Sequence, residues 1–278
     1  MANLQTLLQG ITNWASKPAP TADGTQTPNA TRMGRYNEQA IQSYINGTQA
    51  LSDEGSYFVC TSPTPGTAIA MTTTITSFAT TDTQATMIIQ NRDINTNPFA
   101  KNMYPDYIKL MLVGLPGSAT TWQFALTMDS NSSVYTSGGT ILAGTASGQT
   151  QGLGAYSPNM NSGAQSVAFV AFGALSTAAK SSVSRLVAIG NLRPRVATTP
   201  VADLGDEYIL KFGPMEHPGA NFALGLSGGT PLNIVKNVIS VPPVVLGPQQ
   251  SIKMGIWGVA TTGASGPTFE VEFGWFER

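Results

Sequence analysis

The C-terminal part of the chain has the clearest alternation of apolar and polar positions. In Thr268–Trp275, four apolar side chains point to one side of an extended strand, and polar or small residues point to the other. Ser251–Val259 alternates in a similar way, and the intervening Thr261–Pro267 is rich in turn-forming residues. Because a period of two is typical of half-buried strands, we predict a strand pair at the centre of an all-β core.

The same pattern recurs through most of the chain. We predict further strands at Ser56–Thr61, Thr67–Phe78, Ala85–Asn91, Tyr104–Gly114, Trp122–Met128, Tyr208–Phe212, Asn221–Leu226 and Ile234–Val241. Tyr104–Gly114 and Trp122–Met128 are predicted to form a hairpin across Leu115–Ser118. With about ten strands separated by turn signals, the chain fits one large β domain.

Two segments interrupt this pattern. The segment 129–165 is rich in Ser, Gly, Thr and Asn and is predicted to be a long loop, with short strands near 134–135 and 140–142. Ser166–Leu175 is apolar without a clear period, which fits either a strand or a buried helix. Ser176–Ile189 has apolar residues at helical spacing, and we predict a helix there.

The first 54 residues are predicted to form an arm with short helices, preceding a β domain at 55–278. An amphipathic helix is predicted at its start, with apolar residues at Leu4, Leu7, Leu8, Ile11 and Trp14. Ser16–Thr31 contains three prolines and reads as a linker, and Glu38–Leu51 is predicted to be a second helix. The arm either grips a neighbouring subunit or is a frayed terminus.

Composition narrows the range of partners. Only 10% of residues are charged and the net charge is −1, so no basic field attracts nucleic acid. A surface of neutral polar groups suits a protein packed against other copies, although a secreted Thr-rich β protein has a similar composition. No run of about 20 apolar residues predicts a membrane span, and no signal peptide is recognisable.

The sequence predicts no catalytic or metal centre, and therefore neither an enzyme nor a cofactor. The single Cys60 and the single His217 exclude an internal disulfide and a zinc thiolate cluster. Glu270 and Glu272 lie about 7 Å apart on one strand face, but alternating surface carboxylates are far more common than a glycosidase pair. The acidic stretch 203–207 lacks the calcium-loop pattern. The roles of Arg193 and Arg195 stay open.

Two stretches resemble structural proteins of tailed bacteriophages. They are Asp53–Val59 followed by Pro63–Thr67, and Trp257 with the run Phe273–Arg278. The low charge, the arm, the long loops and the strand number are likewise similar to jelly-roll virion proteins. The resemblance spans Gly55–Arg278 and carries no catalytic residue.

The resemblance implies a β-sandwich of jelly-roll type acting as a non-enzymatic capsid decoration (cement) protein. It implies a homo-oligomer, of which a trimer is expected, bound to the major capsid protein on the capsid surface and made in the cytoplasm of the bacterial host. A jelly-roll coat protein, or a carbohydrate-binding receptor-recognition module of a tail or fibre, are the alternatives.

The expected interaction residues follow from the strand faces and the arm. Phe276 lies on the opposite face from Phe273 and Trp275, and Trp257 lies opposite Ile252, Met254 and Ile256. Both aromatic residues are therefore expected at a seam between subunits. The apolar residues of the arm, from Leu4 to Trp14, are expected to reach a neighbour, where many copies would add avidity.

Overall fold

Two β-sheets, antiparallel except for one strand pair, pack face to face and form the core of the chain. The structure is a computed structural model, and it describes residues 32–33, 39–40, 51–71, 75, 77–78, 82–93, 100–114, 121–130, 134–144, 155–193, 204–213, 236–259 and 267–278. The chain divides into two compact units, Met1–Ala50 and Leu51–Arg278. In the first unit, the described residues form one short antiparallel strand pair; the second unit contains the sandwich.

Fifteen strands are described, and they account for most of the described backbone. In chain order they are β1 (Arg32–Met33), β2 (Gln39–Ala40), β3 (Tyr57–Thr61), β4 (Ile69–Ala70), β5 (Gln84–Asn91), β6 (Met103–Gly114), β7 (Thr121–Asp129), β8 (Tyr135–Ala143), β9 (Ala155–Tyr156), β10 (Ala168–Thr177), β11 (Arg185–Arg193), β12 (Glu207–Phe212), β13 (Lys236–Val241), β14 (Ser251–Val259) and β15 (Thr268–Glu277). A single helical turn covers residues 51–53. The prediction of an all-β sandwich is confirmed. Within the described part, no helix is long and apolar enough to cross a membrane.

Strands that follow one another in the sequence often lie in different sheets. One sheet has six strands in the order β11-β7-β14-β5-β10-β8. The other has seven, in the order β13-β12-β6-β15-β3-β9, with β4 paired to the start of β15. Within these two sheets, β12 and β13 are the one parallel pair among the described strands.

The inner faces of both sheets supply one continuous apolar core. Trp122 from the six-stranded sheet meets Tyr208 and Phe269 of the other sheet edge-on, each with ring centroids 5.8 Å apart. On β15, Phe273 and Trp275 are both fully buried and stack at 4.8 Å. The alternation read from the sequence therefore identifies the buried face of β15 correctly.

Both predicted hairpins are wrong in their pairing. β6 pairs with β12 and β15, whereas β7 pairs with β11 and β14 in the opposite sheet. In the same way, β14 and β15 are strands of different sheets rather than a pair. In both cases consecutive strands belong to different sheets, and the turn-forming residues between them in the sequence do not distinguish this arrangement from a hairpin.

Several predicted non-strand segments are strands. Residues 39–40 of the predicted helix Glu38–Leu51 pair with residues 32–33 as β-structure. The predicted helix Ser176–Ile189 is replaced by the end of β10 and by β11. For Ser166–Leu175, where the sequence fits either a strand or a buried helix, the structure has a strand, β10, from Ala168 onward. The predicted loop 129–165 contains all nine residues of β8. The predicted strand Asn221–Leu226 and the predicted helix at 1–14 lie outside the described residues.

Candidate interaction surface

The outward face of the seven-stranded sheet carries a group of aromatic side chains around a glycine. We call Tyr57, Tyr104, Tyr107 and Phe276, which surround Gly274, the aromatic face. In the strand register, Phe276 lies between Tyr57 on β3 and Tyr104 on β6. Gly274, two residues earlier on β15, lies between Val59 on β3 and Tyr107 on β6. The intervening residues of the same strands, such as Phe58 and Phe273, point into the core.

Gly274 makes room for two of these rings. A Cβ atom at this position would lie 2.5 Å from Tyr107 Cε1 and 2.6 Å from the Tyr57 hydroxyl oxygen. Both distances are far shorter than a van der Waals contact, so the rings lie directly over the β15 backbone. A glycine inside a strand often marks such a close approach.

A β-bulge on β6 sets the polar partners of these tyrosines. Gly274 is opposite Tyr107 and Trp275 is opposite Pro105, which leaves Asp106 without a partner in the ladder. Such an extra residue re-aims side chains. The Asp106 carboxylate accepts a hydrogen bond of 2.9 Å from the Tyr57 hydroxyl and also binds the Lys211 ammonium group.

A second tyrosine–carboxylate pair lies beside the first. The Tyr107 hydroxyl donates to Glu272 on β15. Burial, reinforced by the neighbouring Asp106 carboxylate, raises the pKa of Tyr57 above its usual range. Burial and the hydrogen bond to Glu272 likewise raise the pKa of Tyr107. Both phenols therefore stay neutral and act as hydrogen-bond donors over the physiological pH range.

Phe276 is the predicted interaction residue that lies on this surface. It is half-buried, on the opposite face from the fully buried Phe273 and Trp275, as its position in the strand predicts. Its ring stacks on Tyr104 with centroids 4.6 Å apart and planes inclined by 4°. The outer surface of this flat pair faces away from the core, and its contact with a second subunit stays a prediction.

The other predicted interaction residues have different positions. Trp257 is only 6% exposed, because Ile75 and Ala125 pack against it on the outer side of the six-stranded sheet. Its contact with a second subunit stays a prediction. Leu4, Leu7, Leu8, Ile11 and Trp14 lie outside the described residues.

The candidate chemical groups are engaged in structural contacts where they are described. Glu270 accepts a hydrogen bond from the Gly66 amide, and Glu272 is paired as above. The buried Asp206 accepts a 3.2 Å bond from the Tyr208 hydroxyl. Burial raises the pKa of the Cys60 thiol well above its usual range. Among the described residues, no group of three or more His, Cys, Asp or Glu side chains is placed to hold a metal ion.

His217, Asp203 and Arg195 lie outside the described residues. The sequence analysis missed Tyr57, Tyr107 and Asp106 as members of a surface, because the cross-strand register that joins them is not visible locally. The one local signal was the glycine between two aromatic residues in Phe273–Trp275.

Comparison with protein-family models, with curated proteins and with solved structures finds no match for this chain.

Proposed function

We propose that this chain is a non-enzymatic structural protein of a bacteriophage virion, built on a jelly roll and acting as a capsid decoration (cement) protein. The observation that carries the proposal is the pairing scheme of eight strands. These are β3, β5, β6, β7, β11, β12, β14 and β15.

The eight strands pair from the outside of the sequence inward. The first pairs with the eighth (β3 with β15), and the second with the seventh (β5 with β14). The third pairs with the sixth (β6 with β12), and the fourth with the fifth (β7 with β11). All four pairs are antiparallel, as in a single long ribbon folded back on itself.

The ribbon is then rolled into two sheets. β15 also pairs with β6, and β14 also pairs with β7, which gives four-stranded sheets β3-β15-β6-β12 and β5-β14-β7-β11. This connectivity supports assigning the sandwich to the jelly-roll type, an architecture of viral capsid and lectin domains. Of the remaining strands, β8, β9, β10 and β13 extend these sheets at their edges, β4 pairs with β15, and β1 and β2 form a separate pair.

Since a fold does not determine a function, the surface must supply the rest of the argument. The aromatic face presents the flat Tyr104–Phe276 pair on a rigid sheet, a type of residue enriched at subunit contacts. With 10% charged residues and a net charge of −1, copies of the chain repel one another weakly. In the proposed role, this face joins subunits into a homo-oligomer that sits on the major capsid protein.

The proposal is tested by adding the purified chain to phage heads assembled without it. We expect electron microscopy to show added density at regular lattice positions, and head rupture on heating to shift to higher temperature. Phe276→Ser should reduce occupancy, whereas Thr61→Ala, an exposed change on the neighbouring strand, should not. Heads that stay bare at saturating protein would refute the decoration role.

The aromatic face also supports carbohydrate recognition as a second candidate. Rings on a flat sheet beside hydrogen-bonding carboxylates are suited to stack on sugar rings, and lectins also use jelly rolls. A glycan array read with the wild-type chain and with Tyr104→Ala separates the two. A specific hit that the variant loses favours the receptor-recognition module, whereas an array without hits favours the virion structural role, as decoration or as coat.

A further inference from the structure

The Lys211 ammonium group and the Asp106 carboxylate meet in an enclosed position on the outer face of the seven-stranded sheet. Lys211 Nζ is in direct contact with Asp106 Oδ1, and the two side chains are 33% and 13% exposed. The two residues are 105 positions apart in the sequence but lie on neighbouring strands, β12 and β6. An amine and a carboxyl group held against each other are the two reactants of an amide bond.

The β-bulge on β6 aims the carboxylate at the amine. Lys211 is opposite Tyr107 on β6, and the bulge places Asp106 immediately before Tyr107 as an extra residue. The Asp106 carboxylate thereby reaches two groups of the outer face, the Tyr57 hydroxyl and Lys211 Nζ. Bulges re-aim side chains in this way beside active sites.

The second carboxylate oxygen of Asp106 has a fixed hydrogen-bond donor. The Tyr57 hydroxyl donates to Oδ2 at 2.9 Å, and the tyrosine side chain is buried. Gly274 leaves the space through which Tyr57 reaches across β15, since a Cβ atom there would lie 2.6 Å from the hydroxyl oxygen. A preorganised donor of this kind stabilises the negative charge that develops on a carboxyl oxygen when a nucleophile adds to its carbon.

Two other described lysine–carboxylate pairs are looser. Lys109 Nζ and Glu207 Oε1 are 3.3 Å apart on the same sheet face. Lys101 Nζ is 3.5 Å from the buried Glu277 carboxylate, which already accepts a hydrogen bond from the Ser166 hydroxyl. Neither amine is in direct contact with its carboxylate, and a near-attack arrangement requires reacting atoms about 3–3.5 Å apart with the nucleophile beside the carbon.

We propose that Lys211 and Asp106 form an intramolecular isopeptide bond, a covalent amide link between β12 and β6. A proton passes from Nζ to Oδ1, which leaves a neutral amine and a neutral carboxylic acid. The Nζ lone pair adds to Cγ, while the Tyr57 hydroxyl stabilises the charge on Oδ2. The Cγ–Oδ1 bond then breaks, and Oδ1 leaves as water with the proton it received and a second proton from Nζ. One ammonium group and one carboxylate thus become one amide and one water molecule, without a co-reactant.

The bond gives the chain a covalent constraint that its cysteine content does not allow. With a single cysteine, the chain forms no internal disulfide. The amide closes a long loop of the chain and restricts the unfolded state, as a disulfide across the same loop does. It also keeps β12 attached to the interior strand β6 when the sheet is loaded by heat or force.

Intact mass spectrometry of the purified chain tests the proposal directly. The wild-type chain should be lighter than its sequence mass by one water molecule, and Lys109→Arg, on the same face, should show the same deficit. Lys211→Arg keeps the charge of the ion pair but should have its full mass. A wild-type chain at full sequence mass would overturn the proposal. A deficit that persists in Lys211→Arg, as dehydration of an aspartate within its own strand would produce, would also overturn it.

Proteolysis locates the bond. Trypsin should fail to cut after Lys211, and one branched peptide should contain both Asp106 and Lys211. Separate peptides of ordinary mass that contain these two residues would overturn the proposal.

The role of Tyr57 is tested by the rate of bond formation. In chains sampled over time after cell-free synthesis, Tyr57→Phe should lose water at least about tenfold more slowly than the wild type. Tyr107→Phe is the matched control, because its hydroxyl donates to Glu272 instead, and it should react at the wild-type rate. Equal rates for Tyr57→Phe and the wild type would overturn the role given to Tyr57. None of these measurements depends on a viral role.

Discussion

At position 274, a glycine lies beneath two tyrosine side chains, and its missing side chain leaves room for both. The Tyr57 and Tyr107 rings cover the backbone there, and their hydroxyl groups reach Asp106 and Glu272. The neighbouring residues in β15 are large and buried. The odd-numbered residues of β15 up to Trp275 therefore point into the core, and the residues between them point to the outer surface.

The two faces of β15 predict opposite consequences for two similar substitutions. Phe273→Ala removes a fully buried ring, and we expect a loss of about 3–5 kcal/mol in the free energy of unfolding. Phe276→Ala removes a half-buried ring stacked on Tyr104, and we expect less than about 2 kcal/mol. Denaturant titration measures stability, and sedimentation measures assembly, which Phe276→Ala should weaken more. Equal losses of stability would show that both rings belong to the core.

The tyrosine–carboxylate pairs predict sensitivity to alkali. The raised pKa of Tyr57 and Tyr107 keeps both phenols protonated in the folded chain above pH 10, where phenols of the unfolded chain ionise. The unfolded state then binds fewer protons, so stability is intact below about pH 10 and falls above it.

The double variant Tyr57→Phe, Tyr107→Phe should therefore lose stability less steeply with rising pH. The expected difference approaches about 1.4 kcal/mol per pH unit for each tyrosine once the unfolded phenols are ionised. Denaturant titrations at a series of alkaline pH values measure it, with Tyr156→Phe, at an exposed tyrosine, as the control. Identical slopes for the wild type and the double variant would contradict the assignment.

At the scale of elements, β15 is held in place by more than its ladder. The buried Glu277 carboxylate accepts from the Ser166 hydroxyl at 2.6 Å and from the Trp275 indole at 3.0 Å. It also accepts from the Val167 amide and lies 3.5 Å from the Lys101 ammonium group. The end of β15 is thereby tied to the segments that precede β10 and β6.

Glu277→Ala should leave buried donors without an acceptor and cost about 3 kcal/mol or more. Glu277→Gln keeps an acceptor oxygen, so its stability should lie between those of Glu277→Ala and the wild type. Glu54→Ala is the control, because its 3.3 Å ion pair with Arg278 is exposed and contributes little. Thermal and denaturant unfolding provide the measurement, and a Glu277→Ala variant as stable as Glu54→Ala would contradict this role.

The sequence predicts strands well where alternation is regular and fails where a bulge interrupts it. Leu186 and Ile189 are three residues apart, which resembles a helical spacing, but the extra Val187 in β11 produces the same spacing in a strand. Strand pairing is also hard to predict from local sequence, because partners can be distant along the chain. Consecutive strands such as β6 and β7 belong to different sheets, and strands that do pair, for example β6 and β15, are more than a hundred residues apart.

For the whole molecule, the aromatic face lies on the outer side of the seven-stranded sheet. A chain with one such surface forms closed oligomers, whereas a chain with two can link oligomers into a larger lattice. The proposed decoration role needs attachment as well as self-association. The arm, residues 1–54 of the predicted domain division, supplies the remaining prediction.

Deletion of residues 1–31 should leave the sandwich folded, because Leu51–Arg278 forms a compact unit with its own core. We expect the thermal unfolding midpoint of the truncated chain to stay within a few degrees of the full chain. Attachment to phage heads should be lost if the arm grips a neighbour. Truncated protein that still decorates heads would refute the arm model and leave the fold intact.

The pairing of β3 with β15 has a consequence for biosynthesis. β15 is translated after every other described strand, yet it lies between β3 and β6 in the middle of its sheet. A ribosome adds about 5–20 residues per second, so the earlier strands emerge before β15 is available to cover their inner faces. The sandwich therefore closes only after synthesis has passed residue 277. A nascent chain that stops earlier lacks the central strand of one sheet and leaves the inner faces of its other strands uncovered.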